Sequence, residues 1–258
     1  MDPLSTSTQY LTVGAIMGKY FAIDFRNIRH RICLTKRFMS QLTVDHFVLP
    51  NWTSDHAVFV IQWRHLVIHV FAFIAMTVVG TLSHEGGHWI AARVMGVDAW
   101  INYAATFYDH NVTMSNEQRL WFTLGGPLQT ILTGTIGLLF AYRIPRHTDH
   151  LSGHQWVAVY ATLFWLRQPA NMFVGLLIAL TGGNVGYRSD EPKISLALGM
   201  HPFAITVVTG LIGSLVLAFI VFRVIPRQQR VTFLIAGLAG GVAGYVLWLH
   251  IVGPVLMP

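Results

Sequence analysis

Five long apolar segments constrain this chain most strongly, at residues 66–92, 120–141, 156–180, 203–224 and 231–252. Each contains at least the roughly 20 residues that a helix needs to cross a bilayer. A backbone inside lipid has no water to bind, so continuous apolar segments of this length are expected to be helical. The sequence therefore predicts an all-α polytopic membrane protein with about five transmembrane helices.

The composition supports a membrane location. Hydrophobic residues make up 53% of the 258 residues and charged residues only 11%, whereas soluble domains have about 25% charged residues. The net charge of +6 is typical of the Lys and Arg that collect in cytoplasmic loops, so it does not indicate a nucleic-acid partner. We expect an integral, multi-pass protein of the cell membrane that contacts the lipid bilayer and binds no nucleic acid.

Three regions are expected along the chain. Residues 1–64 contain a short apolar stretch and a basic stretch, which favour an interfacial segment on the cytoplasmic side. Residues 65–200 contain the motifs that carry chemistry, and residues 201–258 contain two C-terminal transmembrane helices. Strand-forming residues at 96–110 predict two short strands or a hairpin after the first helix.

The motif His84-Glu85-Gly86-Gly87-His88 lies near the end of the first apolar segment. Residues four apart share one face of a helix, so His84 and His88 can bind one metal ion. Zinc with three protein ligands keeps a fourth position for water, and an adjacent carboxylate such as Glu85 can act as general base. Ionisable residues at a membrane span are energetically costly and usually functional. The motif therefore indicates a Zn²⁺ site with Glu85 as the catalytic residue.

This motif and two further elements resemble the site-2 protease family of intramembrane zinc metalloproteases. In that family the zinc motif lies in a membrane helix and is followed by small residues and a glycine, as at 91–97 here. The second element is Leu-Gly-Gly-Pro-Leu at 124–128, which is similar to the family's Gly-Pro-Leu. The family has Asn two residues further on, where this chain has Thr130.

The third element is Ser-Asp-Glu-Pro-Lys-Ile at 189–194. It resembles a family variant with Ser-Asp-Gly, in which the aspartate binds the metal, and Glu191 replaces the Gly. The resemblance implies Asp190 as the third zinc ligand beside the two histidines. Asp109, Glu117 and Glu191 are the competing candidates.

The resemblance also implies an activity and a substrate. It implies a zinc-dependent intramembrane endopeptidase that cleaves peptide bonds in the membrane-embedded helices of transmembrane proteins, with Gly126, Pro127 and Asn171 against the substrate. Arg167 and Asn171 lie four apart around Pro169. They are either a polar lining near the metal or a buried structural pair at the proline break.

Other functions stay open on the sequence alone. His147, His150 and His154 lie between the second and third apolar segments. Together with His84 and His88 they are similar to the histidine clusters of membrane di-iron oxygenases and hydroxylases, although a solvated loop is the simpler interpretation. A further alternative is a non-catalytic metal-binding membrane protein, either a transporter or a pseudoprotease.

The sequence leaves the membrane orientation open. Most Lys and Arg residues outside the apolar segments fall on the side of the N-terminus, which the positive-inside rule places in the cytoplasm. This assignment puts His84 in the outer half of the membrane. Site-2 proteases generally hold their metal toward the cytosol, so the two arguments disagree.

Overall fold

A computed structural model of the chain describes residues 61–109, 111–145, 148–181 and 189–258. Nearly all of the predicted interfacial segment at 1–64 lies outside these residues, and so does His147.

Five helices in these ranges are long and apolar enough to cross a membrane, which confirms the predicted fold class. This number is consistent with a multi-pass membrane protein. The five spans are Trp63–Val94, Asn116–Tyr142, Gly153–Leu180, Ala204–Val224 and Arg227–Leu256.

Several of the spans consist of more than one helical element. Helix α1 is Trp63–Val94 and α2 is Asn116–Tyr142. The third span consists of α3 (Gly153–Thr162), a 3-10 turn (Leu163–Leu166) and α4 (Arg167–Leu180).

A short helix, α5 (Asp190–Ala197), precedes α6 (Ala204–Phe219), which a π-helical turn (Ile220–Val224) extends. The fifth span consists of a 3-10 turn (Arg227–Gln229), α7 (Arg230–Val246), a π-helical turn (Leu247–Val252) and α8 (Gly253–Leu256).

The third span is broken immediately before Pro169. A proline has no N–H to donate, and its ring clashes with the carbonyl four residues earlier, which here belongs to Trp165. The 3-10 turn Leu163–Leu166 lies at this point, so Arg167 begins a new helix in the middle of the span. Pro127, in contrast, lies inside α2, and that helix continues through it.

A two-stranded antiparallel sheet follows α1, as the sequence predicts. Strands β1 (Ala99–Ile101) and β2 (Thr106–Tyr108) pair with Trp100 opposite Phe107. The indole of Trp89 in α1 donates a hydrogen bond to the carbonyl of Ala99 at 3.0 Å. This contact fixes the hairpin against the end of α1 that carries the histidine motif.

Helix α7 packs against α1 through glycines. A Cβ atom at Gly240 would overlap the backbone carbonyl of Val70, and one at Gly244 would overlap the side chain of Thr77. At Gly241, the next residue along α7 from Gly240, a Cβ atom would have no neighbouring atom within 4 Å. Small residues at such contacts let helix backbones approach closely, which is a main source of helix association in lipid.

This pair of adjacent glycines provides a matched test of the packing. We expect Gly240→Ala to lower the unfolding free energy by about 1–3 kcal/mol, because the added methyl overpacks the contact with Val70. Gly241→Ala makes the same chemical change in open space and should leave stability unchanged or raise it. Thermal unfolding of both purified variants in one detergent measures the difference. Equal destabilisation by the two substitutions would contradict the packing.

Candidate metal centre

Helix α1 places His84 and His88 side by side, because residues four apart lie one turn above each other on the same face. Their Nε2 atoms are 3.2 Å apart. Both side chains are buried, and His84 has no exposed surface. The structure thus brings the two predicted histidine ligands together at one point.

Groups on α2 set the direction of both imidazole rings. Nδ1 of His88 donates to the backbone carbonyl of Phe122 at 2.7 Å. Nδ1 of His84 lies 2.9 Å from Oγ1 of Thr130, which donates its own proton to the carbonyl of Gly126 and therefore accepts from His84. With Nδ1 protonated in both rings, each Nε2 presents its lone pair to the shared point. Hydrogen bonds of this kind orient histidine ligands in metal sites.

The carboxylate of Asp190 completes the group from the first residue of α5. Its Oδ2 lies 3.0 Å from Nε2 of His84 and 3.3 Å from Nε2 of His88. Asp190 thus places a carboxylate oxygen beside the two nitrogen donors.

The three donor atoms fit a zinc ion. Their separations of 3.2, 3.0 and 3.3 Å form a nearly equilateral triangle. Ligand atoms about 2.0–2.1 Å from a tetrahedral zinc lie about 3.3–3.4 Å from one another, so the observed triangle matches one face of the tetrahedron. Two imidazole nitrogens and one carboxylate oxygen are also a donor set that zinc prefers.

Gly126 leaves the space that this group occupies. A Cβ atom at position 126 would overlap the Nε2 atoms of both His84 and His88. The structure places Gly126 against the proposed ligand nitrogens, and its contact with substrate stays a prediction. Pro127 is buried beside it in α2.

Glu85 lies next to the donor triangle and is held by the hairpin. One of its carboxylate oxygens and one ring nitrogen from each of His84 and His88 lie within 4.8 Å of one another. The hydroxyl of Thr106 in β2 is 2.8 Å from the backbone carbonyl of Glu85 and 3.1 Å from its Oε2, so it can donate to either oxygen. The hairpin thus positions the predicted catalytic carboxylate.

Asn171 lies against a carboxylate of α5. Its Nδ2 donates to Oε1 of Glu191 at 3.0 Å, and Glu191 is only 2% exposed. This bond ties α4 to the residue that follows Asp190. In the described part of the chain Asn171 and Arg167 make no hydrogen bond to each other, and the choice between a polar lining and a structural pair stays open. A contact between Asn171 and substrate stays a prediction.

The remaining candidates lie elsewhere. Asp109 and Glu117 are exposed, and Oδ1 of Asp109 accepts hydrogen bonds from Asn111. His150 and His154 belong to no group of three potential metal ligands among the residues that the structure describes. The structure thus favours Asp190 over its competitors by position, and metal binding itself stays a prediction.

No family model, curated protein or solved structure matches the chain. The function of the site is therefore inferred from its own residues and their geometry.

Thr130 offers a direct test of the orienting hydrogen bond. Thr130→Val removes the oxygen that accepts the Nδ1 proton of His84, and we expect about 10–100-fold weaker zinc binding. Thr130→Ser keeps the hydroxyl and should bind zinc like the wild type. Competition with a chelator of known affinity measures both variants. Wild-type zinc affinity in Thr130→Val would contradict the role of this hydrogen bond.

Gly126 tests whether α2 leaves room for the ligands. We expect Gly126→Ala to lose most of its zinc, because the new methyl group occupies the position of the histidine Nε2 atoms. Gly86→Ala is the matched control, since a Cβ at Gly86 has no neighbour within 4 Å. Zinc per chain, measured by elemental analysis of the folded variants, separates them. Full zinc occupancy in Gly126→Ala would show that the ligand positions are wrong.

Proposed function

We propose that the protein is a zinc-dependent intramembrane endopeptidase of the cell membrane, acting on membrane-embedded helices of transmembrane proteins. The observation that carries this proposal is the triangle of His84, His88 and Asp190 with the Glu85 carboxylate beside it. Glu85 and Asp190 are far apart in the sequence, and they belong to two of the motifs that resemble those of site-2 proteases. The proposed zinc ligands are His84, His88 and Asp190.

Zinc would act here as a Lewis acid that makes a neighbouring water more acidic and polarises a peptide carbonyl. Glu85 would serve as general base, accepting a proton from the water whose oxygen attacks the carbonyl carbon. When the C–N bond breaks, the protonated Glu85 would donate that proton to the nitrogen of the leaving amine. Thr106 would hold the carboxylate in place during both transfers through its hydrogen bond to Oε2.

A substrate helix must unwind locally before cleavage, because its carbonyls are otherwise bonded within the helix. Gly86 and Gly87 lie between the two histidines. Gly86 has open space around a Cβ position, so an extended substrate segment could pass there. Gly87 instead contacts the backbone of Gly125 and serves the packing of α1 on α2.

The experiment compares zinc content and cleavage in Glu85→Gln and its control. Purified full-length protein in lipid nanodiscs is given a panel of transmembrane helix substrates, and products are identified by mass spectrometry. We expect Glu85→Gln to keep near-stoichiometric zinc and to lose about 10²–10⁴-fold in cleavage rate. Glu117→Gln removes an exposed glutamate outside the site and should change neither quantity.

Each other outcome points to a different function. Cleavage by Glu85→Gln at the wild-type rate would remove Glu85 as the base. Bound zinc without cleavage of any helix would favour a metal-binding transporter or a pseudoprotease. Iron in place of zinc, with binding that depends on His150 and His154, would favour a di-iron oxygenase.

A further inference from the structure

A cavity of about 270 Å³ lies between α1, α4 and α7, next to the candidate metal centre. Its walls are mostly apolar and include Phe73, Met76 and Phe164. Among the described residues that line it, Arg167 alone carries a charge. A volume of this size holds one side chain but cannot hold a helix.

The cavity extends from the outside of the helix bundle to Thr130, a neighbour of His84. At its rim, the side chains of Leu166 and Tyr245 are 43% and 54% exposed, so it opens at the outside of the helix bundle. Thr130 also lines it, and the Thr130 hydroxyl lies 2.9 Å from Nδ1 of His84. A side chain that fills the cavity from the bilayer would therefore end one residue away from a proposed zinc ligand.

Arg167 lies at the middle of the third span, Gly153–Leu180. In the described ranges it makes no hydrogen bond or ion pair, and its Nε is buried without a hydrogen-bond partner. A charge at this depth is energetically costly, and such residues usually pair with another group or face a functional cavity. Arg167 lines this cavity, so the second of these alternatives applies to it.

The nearby carboxylates already have other partners. Oε2 of Glu85 accepts from Thr106, Oδ2 of Asp190 lies against Nε2 of the two histidines, and Oε1 of Glu191 accepts from Asn171. None of the ion pairs among the described residues includes Arg167, so its guanidinium can pair with an incoming carboxylate.

We propose that this cavity is a subsite for one acidic side chain of the substrate helix, with Arg167 as the specificity-determining residue. The inference rests on the proposed function and adds the class of substrate. The carboxylate of an aspartate or glutamate would bind the guanidinium, while the apolar walls contact the methylene groups. Substrates would be transmembrane helices that carry an acidic residue close to the cleaved bond.

The test measures binding separately from cleavage. The host is the full-length Glu85→Gln variant, loaded with zinc in lipid nanodiscs. The ligands are fluorescent transmembrane peptides with roughly 20 apolar residues and one aspartate, which is moved along the peptide, each compared with its asparagine counterpart. At one position along the peptide, we expect the aspartate peptide to bind about tenfold more tightly than its asparagine counterpart, because its carboxylate forms a desolvated charge pair with Arg167.

Two substitutions on this host assign the preference to Arg167. Arg167→Gln should retain zinc and lose the preference for aspartate, and Arg167→Glu should shift the preference to a lysine peptide. Arg93→Gln is the control, because Arg93 pairs with Asp98 outside the cavity and its loss should leave the preference unchanged.

Three results would overturn the inference. Equal binding of aspartate and asparagine peptides at every position, with cleavage by the wild type intact, would reject the subsite and leave the proposed function standing. Arg167-dependent binding of palmitate without any peptide preference would assign the cavity to a free fatty acid. Failure of the host to bind any peptide, together with failure of the wild type to cleave any, would reject the proposed function and the subsite with it.

Discussion

Where α1 crosses α2, the two backbones touch: a Cβ at either Gly87 or Gly125 would overlap the carbonyl of the other. This close crossing brings the carbonyl of Phe122 and the hydroxyl of Thr130 within hydrogen-bond distance of the two histidines on α1. It also places Gly126 so near the ligand nitrogens that no side chain fits there. The four-residue spacing puts both histidines on one face, but the contact with α2 determines where each Nε2 points.

Polar groups inside a membrane protein need partners, because lipid supplies none. Several elements supply such partners around the site: Thr106 on β2 donates to Glu85, and Asn171 on α4 donates to Glu191. These bonds also hold the proposed base and the helix that carries Asp190. Elements that lie far apart in the sequence are thereby joined around one centre.

The sequence predicted the spans and the hairpin because hydrophobicity and strand-forming residues are local signals. It placed Asp190 at the site through a resemblance, and the other acidic candidates could be set aside only once α5 was seen to meet α1. The roles of Thr130 and the Phe122 carbonyl could not be predicted from the sequence. No local pattern marks a threonine whose hydroxyl will accept a hydrogen bond from a histidine ring, and every residue has a backbone carbonyl. The 3-10 turn before Pro169 lies where a proline disrupts a helix, but its extent depends on the surrounding packing.

X-ray absorption at the zinc edge of the purified protein tests whether His84, His88 and Asp190 bind one zinc ion together. We expect about one zinc per chain, bound only by nitrogen and oxygen at about 2.0–2.1 Å, with the scattering pattern of two imidazoles. In Asp190→Asn the zinc should be weakly bound or lost. A protein without zinc, a sulfur ligand, or an unchanged zinc site in Asp190→Asn would contradict zinc binding by these three residues.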